Sequence, residues 1–141
     1  MFKRNKKLVG LVVLMLVAAA FAVPTSLTPV VMKENNYAVQ AGDLTVTETA
    51  CDNVNGNSFP FTGREILLVH NTNAGGAQTF SITSTPDQYG RTGDIANYSI
   101  VASGIAVIDL DTLTGWKQTN GTLLLACNAA TVKFVVLRLP G

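Results

Sequence analysis

What most limits the fold is how this chain is punctuated. Short, β-branched apolar runs are each closed by Asn or Gly, and no stretch after residue 22 carries helical periodicity. The last run, Thr131-Val-Lys-Phe-Val-Val-Leu-Arg-Leu139, is apolar at nearly every position, with Lys133 and Arg138 as its only charges. β-Branched and aromatic side chains lose rotamer freedom in a helix and pack well on a pleated surface, so this run predicts a largely buried strand. Glu65-Ile-Leu-Leu-Val-His-Asn71 has the same character, and the two runs are expected at the middle of a β core.

Other runs repeat the theme. Leu44–Thr49 alternates apolar and polar residues, as a half-buried strand does. Thr79–Ser84 sets Phe80 and Ile82 on one face and Thr79, Ser81 and Thr83 on the other. Ile95–Val101, Ile105–Leu110 and Thr122–Cys127 complete the set of strand candidates. Between them lie turn residues that accept positive φ at low cost, notably Asn71-Thr-Asn-Ala-Gly-Gly-Ala77 and Asn120-Gly121. Asp52–Ser58 reads as a loop, with Phe59-Pro60-Phe61 packing over one end of the core. Thr85–Asp94 is the longest polar loop, and Asp111–Gly115 suits one helical turn anchored by Trp116. The expectation is an all-β, single-domain antiparallel sandwich of about seven or eight strands, jelly-roll or immunoglobulin-like.

The N-terminus has a different composition. Lys3, Arg4, Lys6 and Lys7 precede fifteen uncharged residues, Leu8–Ala22, which end in the small-residue phrase Ala20-Phe21-Ala22. This is the layout of an export signal, and it is shorter than the roughly 20 apolar residues of a comfortable membrane span. An uncleaved N-terminal anchor helix is the alternative. The expected organisation is a signal or anchor over 1–22, an extended spacer or arm over 23–42, and the β domain over 43–141. Membrane contact is expected through the N-terminal segment only, with the body exported, extracellular or held at the cell envelope.

Beyond residue 22 the chain holds six basic and nine acidic residues, a net charge of −3. That excludes the clustered positive charge a nucleic-acid binder needs against phosphates. Cys51 and Cys127 are the two cysteines, 76 positions apart. An even count behind an export signal reads as a disulfide closing most of the domain; two buried free thiols are the alternative.

From about Phe59 to Leu139 the chain resembles small structural proteins of tailed phages and prophages, of the head-decoration or minor capsid kind. The phrases that carry the resemblance are Gly63-Arg64-Glu65 opening Ile66-Leu-Leu-Val-His-Asn71, the glycine turn, Thr79-Phe-Ser-Ile-Thr83, Tyr98-Ser-Ile-Val101, and Val132-Lys-Phe-Val-Val-Leu-Arg-Leu139. The resemblance implies a β-sandwich that sits on a protein shell or forms part of one. On that footing its partners are protein partners, through self-assembly or a shell, and its location is the virion.

Residues able to carry chemistry are few. His70 is the only histidine, it lies at the end of an apolar strand, and no G-x-S-x-G elbow exists to supply a nucleophile. One histidine and two cysteines leave no set of three or four zinc ligands. Asp87 and Asp94 flank Tyr89-Gly90-Arg91, and Asp109 and Asp111 sit together. Each pair offers calcium too few oxygens unaided, and turn formation is the plainer role. The expectation is no enzyme, no cofactor and no metal. Contact residues are expected at Tyr89, Arg91 and Trp116, and these aromatics are also where a secreted carbohydrate- or ligand-binding module would hold its ligand.

Overall fold

The computed structural model describes residues 23–32, 46–111 and 113–141. The expected signal or anchor helix over 1–22 lies outside the described residues. The chain runs through β1 (Thr25–Ser26), β2 (Val30–Val31), β3 (Thr49–Ala50), β4 (Asn57–Pro60), β5 (Glu65–Asn71), β6 (Gln78–Thr83), β7 (Ile95–Ile100), β8 (Ile105–Asp109), a 3-10 turn at Thr114–Trp116, β9 (Thr122–Cys127) and β10 (Val132–Arg138).

These strands form two sheets. One is ordered β1-β4-β9-β6-β7; the other is ordered β2-β10-β5-β8, with β3 also pairing β10. From β3 onward every connection passes from one sheet to the other, except the β6–β7 hairpin. β5 and β10, the two apolar runs of the sequence, lie side by side in antiparallel register from Val132↔Asn71 to Arg138↔Glu65.

Alternation along β5 and β10 decides what enters the core. Leu67 and Val69 of β5 face inward with Val132, Phe134 and Val136 of β10. From the other sheet come Phe59, Phe80, Ile82, Leu123 and Leu125. Phe80 and Phe134 meet edge to face across the two sheets, with ring centroids 6.4 Å apart. Both sheets thus share one core, and each fully buried side chain of this size contributes about 2 kcal/mol of hydrophobic stabilisation.

The disulfide expected from the sequence is present. Cys51, just past β3, bonds Cys127 at the end of β9, with Cα atoms 6.4 Å apart. It therefore staples one sheet to the other. The backbone beside it is fixed as well, since the Cys51 N–H donates to the Val132 carbonyl at 2.8 Å.

Glu65 carries a second fastening. Its carboxylate is buried, yet it accepts hydrogen bonds from the N–H groups of Thr62, Gly63 and Arg64, from the Thr62 hydroxyl at 2.7 Å, and from Arg138 Nε at 2.6 Å. Gly63 holds φ at +84°, which lets three successive N–H groups converge on one carboxylate. Arg138 also donates to the Pro60 carbonyl at 2.7 Å. The "Gly-Arg-Glu" and "Leu-Arg-Leu" phrases of the sequence are thus the two halves of one ion pair.

The sheets differ from expectation in four places. They are mixed, because β1 pairs β4 in parallel and β2 pairs β10 in parallel. Residues 23–32, read as the start of a spacer, instead add a strand to each sheet and bury Leu27. Of the strand expected over 44–49, residues 44 and 45 lie outside the described residues, 46–48 have no regular structure, and only Thr49 enters the short β3 at Thr49–Ala50. Asn57 and Ser58, read as loop, open β4. Gly56 makes that strand's approach possible: it sits at φ +78°, and a Cβ there would meet the Leu125 carbonyl oxygen at 2.7 Å.

Two expected outcomes follow from these fastenings. Closing a loop of 76 residues removes denatured-state entropy worth about 4 kcal/mol, so the Cys51→Ser/Cys127→Ser double variant should lose about that much in urea denaturation, as should the reduced wild type. Burial alone would push the Glu65 carboxyl up, but its bonds from Thr62, Arg138 and Arg64 hold it below the ordinary glutamate value. That contribution is complete above the ordinary carboxylate range and is lost as pH falls through the depressed folded value. Glu65→Gln should cost about 3 kcal/mol at neutral pH. It should also flatten the acid limb of a Tm-against-pH curve.

Candidate interaction surface

The outward side of the β8-β5-β10 sheet is built from the residues that alternate away from the core. Register sets them in rows across the strands. One row is Val107–Leu68–Val135; the next is Ile66–Leu137–Val30, with Asp109 at its β8 end. A third row runs Ile105–His70–Lys133–Ala50. Two rows of three are therefore almost wholly apolar; Val135 is buried and Leu68, Ile66, Leu137 and Val30 are partly buried, so the open apolar surface among the described residues is concentrated at β8. Val107 is 67% exposed and Ile105 60% exposed. Scattered surface apolar residues are ordinary, whereas contiguous rows of them mark a contact surface.

The third row is polar on its inner half. His70 Nδ1 lies 2.7 Å from Glu48 Oε1, and Lys133 Nζ lies 3.7 Å from Glu48 Oε2. The sole histidine is thus a surface strand residue tied to a carboxylate. No described hydroxyl lies within hydrogen-bond range of its ring.

β8 is also a sheet edge. Gly104 accepts from the Asn71 N–H at 2.9 Å, and the Leu110 N–H donates to Glu65 at 3.2 Å. Antiparallel strands alternate their bonding, so even-numbered residues of β8 serve β5 and the backbones of Ile105, Val107 and Asp109 face the open side. β7 forms the matching edge of the other sheet. Between the two edges lies a shallow groove of about 210 Å³, lined by Tyr98, Ile100, Val101, Ile105 and Ala106. The turn that joins them is braced from below by Asn71, whose buried Nδ2 donates toward the carbonyls of Gly76, Ile100 and Val101 at 2.9–3.1 Å.

The sequence-predicted contact residues lie elsewhere. Tyr89 is 73% exposed at the tip of the Thr85–Asp94 loop, and the Arg91 guanidinium stands 5.2 Å from its ring centre. Asp87 shapes that tip: it accepts from the backbones of Tyr89 and Arg91 and pairs with Arg91 Nε at 2.7 Å. Those hydrogen bonds, that from the Arg91 backbone foremost, hold the Asp87 carboxyl below its usual value. Asp94 caps the base of the loop through Ser84 N and Oγ, both at 2.7 Å, and is lowered for that reason. Asp109 accepts from the Asp111 N–H at 3.1 Å. Each of these carboxylates is engaged by its own turn. Among the described residues no three of His, Cys, Asp and Glu gather as a metal-binding group.

Trp116 sits near the same loop, with Gly93 beside its ring, but its indole packs against the core and its Nε1 is buried without a hydrogen-bond partner. The structure therefore brings Tyr89 and Arg91 together and keeps Trp116 apart from them, beside Gly93 and against the core. A second open depression, about 220 Å³, lies between the Asp52–Asn57 turn and β9. Asp52 organises that turn. Its bonds from Asn55, Thr25 and Val54 hold its pKa down to about 2. No family model, curated protein or solved structure matches this chain.

Ile105 and Val107 were not singled out from the sequence. Ile105-Ala-Val-Ile-Asp-Leu110 is apolar on both faces, so the run signals a strand but not which side lacks a cover. The split between loop tip and core is measurable. Tyr89→Ala and Arg91→Ala should each shift stability by less than about 0.5 kcal/mol. Trp116→Ala should cost about 2 kcal/mol through lost packing, read from urea midpoints.

Proposed function

We propose that this chain is a non-enzymatic structural protein: a jelly-roll packet that acts by docking onto other proteins, as a decoration-type virion component or a subunit of an exported surface assembly. The observation that carries this reading is the apolar outer side of the β8-β5-β10 sheet, which among the described residues lies open at Val107 and Ile105. The strand order supports the jelly-roll reading over an immunoglobulin-like one. With β3 and β2 on the outer edge of β10, the two sheets alternate along the chain as two interleaved Greek keys do. Viral shell proteins and lectins both use that architecture. Two of the phrases that resemble phage structural proteins, Gly63-Arg64-Glu65 and the final Val132–Leu139 run, meet in the Glu65–Arg138 fastening, which is a matter of rigidity and not of catalysis. The inter-sheet disulfide is consistent with an oxidising, exported setting.

A second reading, a secreted carbohydrate-binding module, is favoured by one observation: Tyr89 presents an exposed ring beside a cationic guanidinium at a loop tip. Sugar recognition commonly combines an aromatic platform with nearby donors.

Density-gradient fractionation of cells that make the native chain tests the two. The assembly reading expects the protein in high-mass particles, virions or surface fibres, from which Val107→Lys releases it while Tyr89→Ala does not. A chain found only as a free species, whose glycan-array binding disappears in Tyr89→Ala, would establish the second reading in place of the first.

A further inference from the structure

We infer that the open edge of β8 pairs with the same edge of a second copy of this chain, forming one continuous sheet across a two-fold axis at Val107. This rests on the assembly reading above and names the first partner in it.

The backbone sets the register. Among the described residues the groups left open on β8 belong to Ile105, Val107 and Asp109, and an antiparallel partner must present its open groups opposite them. A second β8 does so when Val107 faces Val107, Ile105 faces the partner's Asp109, and Asp109 faces the partner's Ile105. Each such pair exchanges two N–H···O=C bonds, about six in all. Odd-numbered residues of β8 point outward, so their side chains meet on the uncovered face.

The side chains fit the same register. Val135–Leu68–Val107 continues into the partner's copy of the row, giving an unbroken apolar stripe over six strands. No like charges stand opposite one another. The partner's Asp109 arrives beside Ile105, on the row that holds His70 and Lys133, and Glu48 is the only acidic side chain already engaged there. Neighbouring registers are worse: a slip of two residues leaves an end pair unmatched, and a slip of one turns the outward side chains toward the wrong face.

The edge also lacks the usual protection. Natural sheets blunt open edges with Lys, Pro, bulges or an inward charge. β8 has none of these; Asp109 is its one charge, and it lies at the end. β7, the corresponding edge of the other sheet, is treated differently: it carries a bulge opposite Phe80/Ile82 and a left-handed Asn97 at φ 53°. Of the two edges on this side of the molecule, only β8 is regular enough to extend.

Sedimentation velocity of the full chain tests this, with three single substitutions at exposed positions. The expected result is a wild-type dimer. Val107→Lys sets two like charges on the axis and Ile105→Asp sets one against the partner's Asp109 at two symmetric places, so each should weaken the dimer about tenfold or more. Ile105→Lys instead faces that aspartate and should keep or tighten the dimer, with a new salt dependence. If Val107→Lys lowers Tm, the opposite effects of Asp and Lys at position 105 still decide the matter. A monomeric wild type overturns the inference, as does a dimer untouched by all three changes or weakened equally by both changes at Ile105. A monomer that still fractionates with particles would remove this edge pairing and leave the assembly role standing.

Discussion

The antiparallel pairing of β5 with β10 is the interaction on which the rest of the fold depends. It joins residues more than sixty positions apart, so its loop-closure entropy is substantial, and it must be held at both ends. At one end Glu65 and Arg138 lie opposite each other and are locked by the Thr62–Arg64 turn. At the other, Val132 accepts from Cys51, which is covalently tied to β9 of the facing sheet. Asn71, the last residue of the same pairing, holds the turns that begin and end the β6–β7 hairpin. Every other strand of this sheet pairs β5 or β10 directly.

A buried carboxylate is an expensive way to hold a register unless all of its lone pairs are used. Here three backbone N–H groups, a hydroxyl and a guanidinium converge on it. Replacing the pair by apolar residues of equal volume would take the acceptor away from those N–H groups, which converge on it from the half-buried Thr62–Arg64 turn. The ion pair therefore contributes less through attraction than through specificity. A slip of β10 by one residue would bury Lys133 in place of Val132 or Phe134 and strand the Glu65 charge.

Much of this was written in the residues. The strands from β5 onward were readable because each is a β-branched or alternating run closed by Asn or Gly. The inter-sheet disulfide followed from two cysteines behind an export-type leader. The missed strands have physical reasons. β1, β2 and β3 are two residues long, too short to show a period, and exist because a neighbour offers an unpaired edge. β4 reads Asn-Ser-Phe-Pro, and its Asn and Pro are turn residues by composition. Pro60 is tolerated there because it ends the strand. The uncovered face could not be read at all: whether Val107 is inside or outside depends on which sheet β8 joins, and no local pattern encodes that.

The sandwich treats its two flanks unequally, and that asymmetry gives the outer surface its meaning. On the flank of β1, β2 and β3, short strands from the N-terminal segment close the edges of β4 and β10 with parallel and antiparallel pairs. They also leave little regular backbone for a further chain to join. On the opposite flank, β7 is broken by a bulge while β8 remains straight, short and apolar. The apolar row Val135–Leu68–Val107 runs up to β8 and stops there because the sheet does. The proposed assembly role asks for a body rigid within and adhesive along a defined direction. The staple and the ion pair supply the first; the difference between a closed flank and an open one supplies the second.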